Sequence, residues 1–236
     1  MLCVILAGGL GTRISEETQE KPKPLVVIGG KPIIWHIMMI YSSQGFNDFL
    51  IAGGYKNEML APEIKKHLRH NSKINFEVLD TGLKTSTGGR IKKCMEHAGL
   101  PRILATYGDG LGNIKLKNLI ELHEQNESIA TLTAVRPPAR FGRVVIQDNL
   151  VTHFGEKIQS DEGWINGGFF VLEKDLSNFI SSDEMPLEQY PFSHLSSIGK
   201  LGAYKHEAFW QPMDTLREKQ ELEKLWQNNL APWKIW

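Results

Sequence analysis

The feature that most constrains this chain is an alternation of short apolar runs with stretches of helical period, sustained over its first 135 residues. Residues 2–7 (LCVILA) are continuously apolar, as expected of a strand covered on both faces. A helix is expected over about 32–44, with Pro32 in its first turn and Gly45 just past its end. Strands are expected at 48–54 (DFLIAGG), 74–79 (INFEVL), 102–107 (RILATY) and 129–135 (IATLTAV), with helices at about 57–70, 88–98 and 115–126 between them. This order predicts a parallel sheet with right-handed crossovers.

From about residue 140 the pattern changes. The segment RVVIQDNLVTHF alternates about Asp148-Asn149, which predicts an antiparallel hairpin. Further strands are expected at 167–172 (GGFFVL) and 201–206 (LGAYKH), and a helix at 214–228. The expected fold is α/β, a mostly parallel Rossmann-like sheet with an inserted antiparallel portion. With no repeat, linker or low-complexity tract, residues 1–236 are expected to form a single domain.

Charge excludes some functions. Lys+Arg and Asp+Glu both number 27, and no basic stripe is interleaved with aromatics, so no nucleic-acid partner is expected. No run approaches the roughly 20 apolar residues of a membrane span. Nothing resembling a signal peptide precedes the first strand, so a cytoplasmic location is expected. Cys3 and Cys94 lack metal-ligand spacing and read as buried apolar residues, and the histidines read as structural or surface groups.

The loop behind the first strand, LAGGLGTR (6–13), carries the first chemical signal. Glycines there let backbone N–H groups approach an anion. A dinucleotide fingerprint would need a third glycine where Ile14 stands, and a P-loop begun at Gly8 would need its second glycine where Arg13 stands. Neither fits. Instead the loop ends in Arg13 and is followed by KPKPL (21–25), so that Arg13 and Lys23 supply two cations suited to a triphosphate. A plain strand-ending turn is the alternative. Asp109, in TYGDG (106–110), follows a strand and faces the crevice where open α/β sheets bind ligands. It reads either as a ligand-facing carboxylate or as a turn residue. Asp214, in QPMDT, reads as an N-cap for the helix that follows, which does not preclude a second role. In TSTGGR (85–90) the glycines precede a helix, and the segment is either a helix-entry turn or a surface that reads a base edge, with Arg90 reaching a phosphate or the base.

The stretch VILAGGLGTRISEETQEKPKPLVVIGGKPIIWHIM resembles the N-terminal signature of the sugar-1-phosphate nucleotidyltransferases. The likeness continues through DTG, STGGR, TYGDG, PPARFG, INGGFFVL and FWQPMDTLREK to the APWK near the end. Within the family it looks most like the cytidylyltransferases that act on glucose 1-phosphate. The resemblance implies CTP and a phosphorylated acceptor as partners, Mg²⁺ as cofactor, and a homo-oligomer. It implies catalytic roles for Arg13, Lys23 and Asp109. Nucleotide contacts are implied for Leu6, Ala7, Gly8, Gly9, Gly11, Thr12, Thr87, Gly88 and Gly89 as well as for those three. Asp109 and Asp214 would be the metal ligands, and Glu156, Lys157, Asn166 and Gly167 would bind the acceptor, although Ile158 stands where the family has proline. About ten residues separate the helix ending near 70 from DTG, fewer than is usual for this group, which bears on the acceptor pocket or a subunit contact. Two rival classes are a nucleotide-binding regulatory domain without catalysis and a nicotinamide oxidoreductase. Intact Arg13, Lys23, Asp109 and Asp214 disfavour the first, and Ile14 the second.

Overall fold

The computed structural model describes all residues except His70 and residues 138–142, 148–149 and 156–162. β1 (Cys3–Leu6) leads through the glycine loop to a short helix α1 (Ser15–Thr18) and a small hairpin, β2 (Val27–Ile28) and β3 (Lys31–Pro32). Then come α2 (Ile33–Ser42), β4 (Asp48–Gly53), α3 (Leu60–Leu68), β5 (Asn75–Asp80), α4 (Thr87–Ala98) and β6 (Arg102–Tyr107). β7 (Gly110–Gly112), α5 (Leu116–Gln125) and β8 (Ala130–Val135) complete the alternating half. The second half holds β9 (Arg143–Gln147), β10 (Leu150–Gly155), β11 (Ile165–Asn166) and β12 (Phe170–Glu173). It ends with α6 (Tyr190–Ser197), β13 (Leu201–His206), β14 (Trp210–Pro212) and α7 (Leu216–Gln227).

The main sheet runs β11-β8-β12-β6-β1-β4-β5, with β13 also paired to β8. β1 pairs in parallel with β4 and β6, and β4 with β5. Because β1 is central, Cys3 and Ile5 face one core layer and Val4 and Leu6 the other, which is why its sequence is apolar without alternation. α2, buried at Ile33, Ile34, Ile37, Met38, Ile40 and Tyr41, fills the first layer. Ile91, Cys94 and Met95 of α4 join Phe192 and Leu195 of α6 in the second. The predicted hairpin forms as β9 and β10, an antiparallel pair separate from the main sheet.

Two expectations need correction. The strand expected at 167–172 begins only at Phe170, and it enters antiparallel between β6 and β8. An apolar run says that a strand is buried but not which way it points. The preceding residues form a tight turn, with Gly168 at φ 77 and Phe169 at φ 49. Phe169 holds this costly left-handed conformation because its ring is fully buried and stacked on Tyr41, centroids 5.8 Å apart. The helix expected from 214 starts at Leu216, for a reason given below.

The C-terminal segment closes over α2. His36 is fully buried among Trp35, Trp226 and Trp233, with ring centroids 5.1, 4.7 and 6.1 Å away. Its Nε2 lies 2.9 Å from the Ile28 carbonyl, and Trp233 Nε1 donates to its Nδ1 at 3.3 Å. This pairing requires a neutral ring with the proton on Nε2. Burial pushes the pKa of His36 down to about 4. Since the unfolded ring titrates near 6.5, unfolding takes up a proton between those values, and stability falls as pH drops through that window. The loss attributable to this ring is about 3 kcal/mol by pH 4. Urea titrations from pH 7 to 4 are expected to show a steeper loss of stability for the wild type than for His36→Gln, which keeps a donor and an acceptor but does not titrate. Parallel pH profiles for the two proteins would refute this role of His36.

Candidate nucleotide site

A cavity of about 530 Å³ opens at the carboxyl end of β1 and β6. Its wall includes the whole loop from Leu6 to Arg13, together with Lys23, Thr87, Tyr107, Asp109, Glu188 and Asp214. Gly11 sits at φ 66, a conformation that suits glycine, and its carbonyl accepts the Thr18 hydroxyl at 2.9 Å, which fixes the loop against α1.

At one end of the cavity four charged side chains converge. Lys23 Nζ lies 2.6 Å from Asp109 Oδ2 and 2.6 Å from Asp214 Oδ1. Arg13 NH1 lies 2.8 Å from Asp214 Oδ2. The two aspartates come together because β14 pairs antiparallel with β7, and Met213 N donates to the Asp109 carbonyl at 2.8 Å. Burial alone would raise the Asp214 pKa, but the contacts with Lys23 and Arg13 hold it below the usual carboxylate range. Burial alone would lower that of Lys23; Asp109 and Asp214 reverse this and raise it. Asp214 and Lys23 are therefore both ionised at neutral pH.

Asp214 does not cap α7. Thr215 does: its hydroxyl accepts from Glu218 N, while Glu218 Oε2 accepts from Thr215 N at 2.9 Å and Asp214 N at 2.7 Å. Thr-x-x-Glu at 215–218 is the sequence signature of this capping box and could have shown it. With the cap supplied by Thr215, both oxygens of Asp214 are left to face cations.

Other expected residues are placed differently. Gly88 and Gly89 are buried in α4, off the cavity wall. A Cβ at Gly88 would lie 2.6 Å from the Met185 carbonyl oxygen and one at Gly89 would lie 2.3 Å from that of Asp183, so these glycines admit the chain's own backbone. Arg90 lines the cavity wall, with three of its five N–H donors engaged inside the protein. It is buried, and its guanidinium donates to the carbonyls of Gly53 at 2.7 Å and Gly8 at 3.1 Å and to the Thr81 hydroxyl. It also occupies the position of a Cβ at Gly8, 2.1 Å away, which accounts for glycine there. Gly167 lies off the cavity wall, its N–H bonded to the Thr133 carbonyl and its carbonyl to Trp210 Nε1. Asn166 Nδ2 donates to the Tyr107 hydroxyl at 2.9 Å. Glu156 and Lys157 lie outside the described residues.

Two wall residues had no sequence signal. Tyr107 OH donates to Glu188 Oε1 at 2.5 Å, and Thr87 Oγ1 donates to Glu188 Oε2 at 2.6 Å. Burial and the Glu188 carboxylate push the Tyr107 pKa up, so its hydroxyl remains a donor. Glu188 lies in the acid-rich stretch SSDEMPLEQY, where nothing distinguishes it from surface glutamates.

The cavity thus joins a cationic glycine loop to a pair of carboxylates, the arrangement that binding of a polyphosphate with a metal ion requires. The Nucleotidyl transferase family profile matches residues 2–209. The chain belongs to this family. It is 44% identical to the glucose-1-phosphate cytidylyltransferase of Salmonella typhi, over the whole of both chains. It is 32% identical to the D-glycero-alpha-D-manno-heptose 1-phosphate guanylyltransferase of Aneurinibacillus thermoaerophilus, covering 80% of this chain and 82% of that one. Among solved structures, HddC of Yersinia pseudotuberculosis in complex with GMP-PN superposes with a TM-score of 0.71 at 24% identity, covering 95% of this chain and 99% of that one. UDP-glucose pyrophosphorylase in complex with UDP-glucose superposes at 0.73 with 16% identity, covering 97% and 98%. The chain is accordingly a nucleotidyltransferase of mixed α/β fold.

Arg90→Met tests the placement of Arg90. The Gly8 carbonyl keeps the N–H of Tyr55 and the Gly53 carbonyl keeps the N–H and hydroxyl of Thr81, so losing the three guanidinium bonds is expected to cost about 1–3 kcal/mol, lowering the melting temperature by about 2–12 °C. An unchanged melting temperature would show that Arg90 does not tie these strand ends together.

Proposed function

We propose that the enzyme transfers CMP from CTP to glucose 1-phosphate, giving CDP-glucose and pyrophosphate. The reading is carried by the full-length 44% identity to a glucose-1-phosphate cytidylyltransferase, on a chain whose cavity brings Arg13, Lys23, Asp109 and Asp214 together. An oxygen of the acceptor phosphate attacks the α-phosphorus in line, and the bond to the bridging oxygen breaks as pyrophosphate leaves. No general base is required, because a phosphate monoester, with a second pKa near 6, is already ionised at neutral pH. Catalysis then rests on positioning and charge neutralisation. Backbone N–H groups of Gly8, Gly9 and Gly11 cradle the triphosphate. Arg13 and Lys23 neutralise it, and Thr87 stands on the wall beside the base. Lys157 holds the acceptor phosphate, with Glu156 and Asn166 beside the sugar.

The chemistry of the site suits Mg²⁺. Asp109 and Asp214 already converge on one cation, the Lys23 ammonium, at 2.6 Å each. Among the described residues no group of three or more His, Cys, Asp or Glu could hold a metal. Mg²⁺ needs no more than two carboxylates, since it retains water and phosphate oxygens. When bound, it supplies charge neutralisation at the triphosphate and the departing pyrophosphate. The reading includes a cytoplasmic homo-oligomer with no nucleic-acid or membrane partner. No helix among the described residues is long and apolar enough to cross a membrane.

A second reading is a different phosphorylated acceptor, with CTP, UTP or dTTP as donor. It is favoured by a length difference, since the alignment to the Salmonella relative runs over 256 positions and this chain has 236 residues. A matrix of triphosphates against phosphorylated acceptors, scored by pyrophosphate release, separates the two. CTP with glucose 1-phosphate is expected to give the highest kcat/KM. A value below roughly 10² M⁻¹s⁻¹, far under the usual enzyme range, would move the assignment to another pair.

Asp109→Asn is expected to abolish turnover in a folded protein, because the amide keeps the size but loses the charge that holds the metal. More than a tenth of wild-type activity at saturating Mg²⁺ would remove Asp109 from the metal site. Lys157→Ala is expected to raise the KM for the acceptor about ten- to a hundredfold, by loss of a charge-assisted contact, while leaving that for CTP nearly unchanged. An unchanged acceptor KM would place the acceptor phosphate elsewhere.

A further inference from the structure

Among the described residues, Glu188 is the one acidic side chain on the cavity wall that stands outside the Lys23 cluster. It is held in place from several sides. Its carboxylate accepts the hydroxyls of Thr87 and Tyr107, and the N–H of its neighbour Leu187 donates to Thr87 Oγ1 at 2.8 Å. The segment before it lies directly on Gly88 and Gly89 of α4, with Ser86 N bonded to the Asp183 carbonyl at 2.8 Å and Lys93 paired to the Asp183 carboxylate at 2.6 Å. A carboxylate fixed in this way is ready to bind without reorganising.

Its chemistry narrows what it can meet. Among the described residues no cation pairs with Glu188, and each of its oxygens takes one hydroxyl proton, so acceptor capacity remains on both. Like charge keeps it from phosphate. Its partner must be a neutral donor, either hydroxyl groups or an amino group of the base. The hydrogen-bond chain has two arms, one to Thr87 at the start of α4 and one through Tyr107 to Asn166; the second, which leads away from both Thr87 and the glycine loop, favours a hydroxyl.

We propose that Glu188 determines acceptor specificity by accepting a hydrogen bond from a hydroxyl of the sugar. The proposal rests on the reading of the acceptor as a sugar phosphate. It assigns the Tyr107 hydroxyl the task of orienting both Glu188 and Asn166.

The test compares wild type with Glu188→Gln, which has the same size, and with Glu188→Asp, which keeps the charge but withdraws it by one methylene. Each is titrated calorimetrically with CDP-glucose and with CDP. Both variants are expected to bind CDP-glucose about tenfold more weakly and CDP within twofold of wild type. In steady state the KM for glucose 1-phosphate rises about tenfold, while the CTP to UTP preference is unchanged. One monodeoxy glucose 1-phosphate, lacking the hydroxyl that Glu188 reads, is used equally well by all three proteins. Equal weakening toward CDP and CDP-glucose, or a changed CTP to UTP preference, would show that Glu188 reads the nucleotide and overturn the proposal. Unaltered binding of CDP-glucose by variants of a wild type that does prefer it over CDP would overturn the proposal alone. A wild type that binds CDP-glucose no better than CDP would overturn the acceptor assignment and this proposal with it.

Discussion

The arrangement of the site depends on one ammonium group. Lys23 Nζ stands 2.6 Å from carboxylates contributed by residues 109 and 214, so it joins three stretches that are far apart in the chain. Without it, Asp109 and Asp214 would face each other as two partly buried like charges, which is costly. With it, the cluster is neutralised from within, and in the proposed function the same two carboxylates hold Mg²⁺. The Lys23 side chain is only 12% exposed, and those of Asp109 and Asp214 31% and 23%, so the pairing offsets the desolvation of all three. Its significance lies in geometry.

That geometry is set by elements outside the glycine loop. β14 lies against β7, which places residue 214 beside residue 109, and the capping box of Thr215 and Glu218 starts α7 one residue later. Further along α7, Glu223 accepts the N–H of Gly29 at 2.8 Å. Trp226 fills the space above Gly29, where a Cβ would come within 2.0 Å of its ring. α7 therefore grips the β2–β3 hairpin that follows Lys23 while its first turn follows Asp214. The aromatic cage around His36 holds the C-terminal end of this clamp on α2. Packing at the tail is thus coupled to the spacing of charges in the cavity.

The parts of this that were legible in the sequence are those with a local cause. The unbroken apolar run of β1 follows from burial on both faces, the β9–β10 hairpin from its alternation, and Asp109 from its place after a strand. The rest depends on long-range partners. The glycines at 88 and 89 do mark a close approach, and the partner on their Cα side is the backbone at 183–185. Arg90 reads as a ligand because arginine is seldom buried, and here three acceptors at the strand ends hold its guanidinium in the cavity wall. The direction of β12 and the wall positions of Tyr107 and Glu188 depend on which strands meet, and no periodicity encodes that.

The central claim is that the loop from Leu6 to Arg13 and the Lys23 cluster together form the nucleotide site. A crystal structure of the protein soaked with CTP and Mg²⁺ tests it most directly. The account predicts triphosphate density against Gly8, Gly9 and Gly11, with Lys23 or Arg13 on its oxygens and the metal between Asp109 and Asp214. Triphosphate bound elsewhere, with Lys23 still locked between the two aspartates, would contradict it.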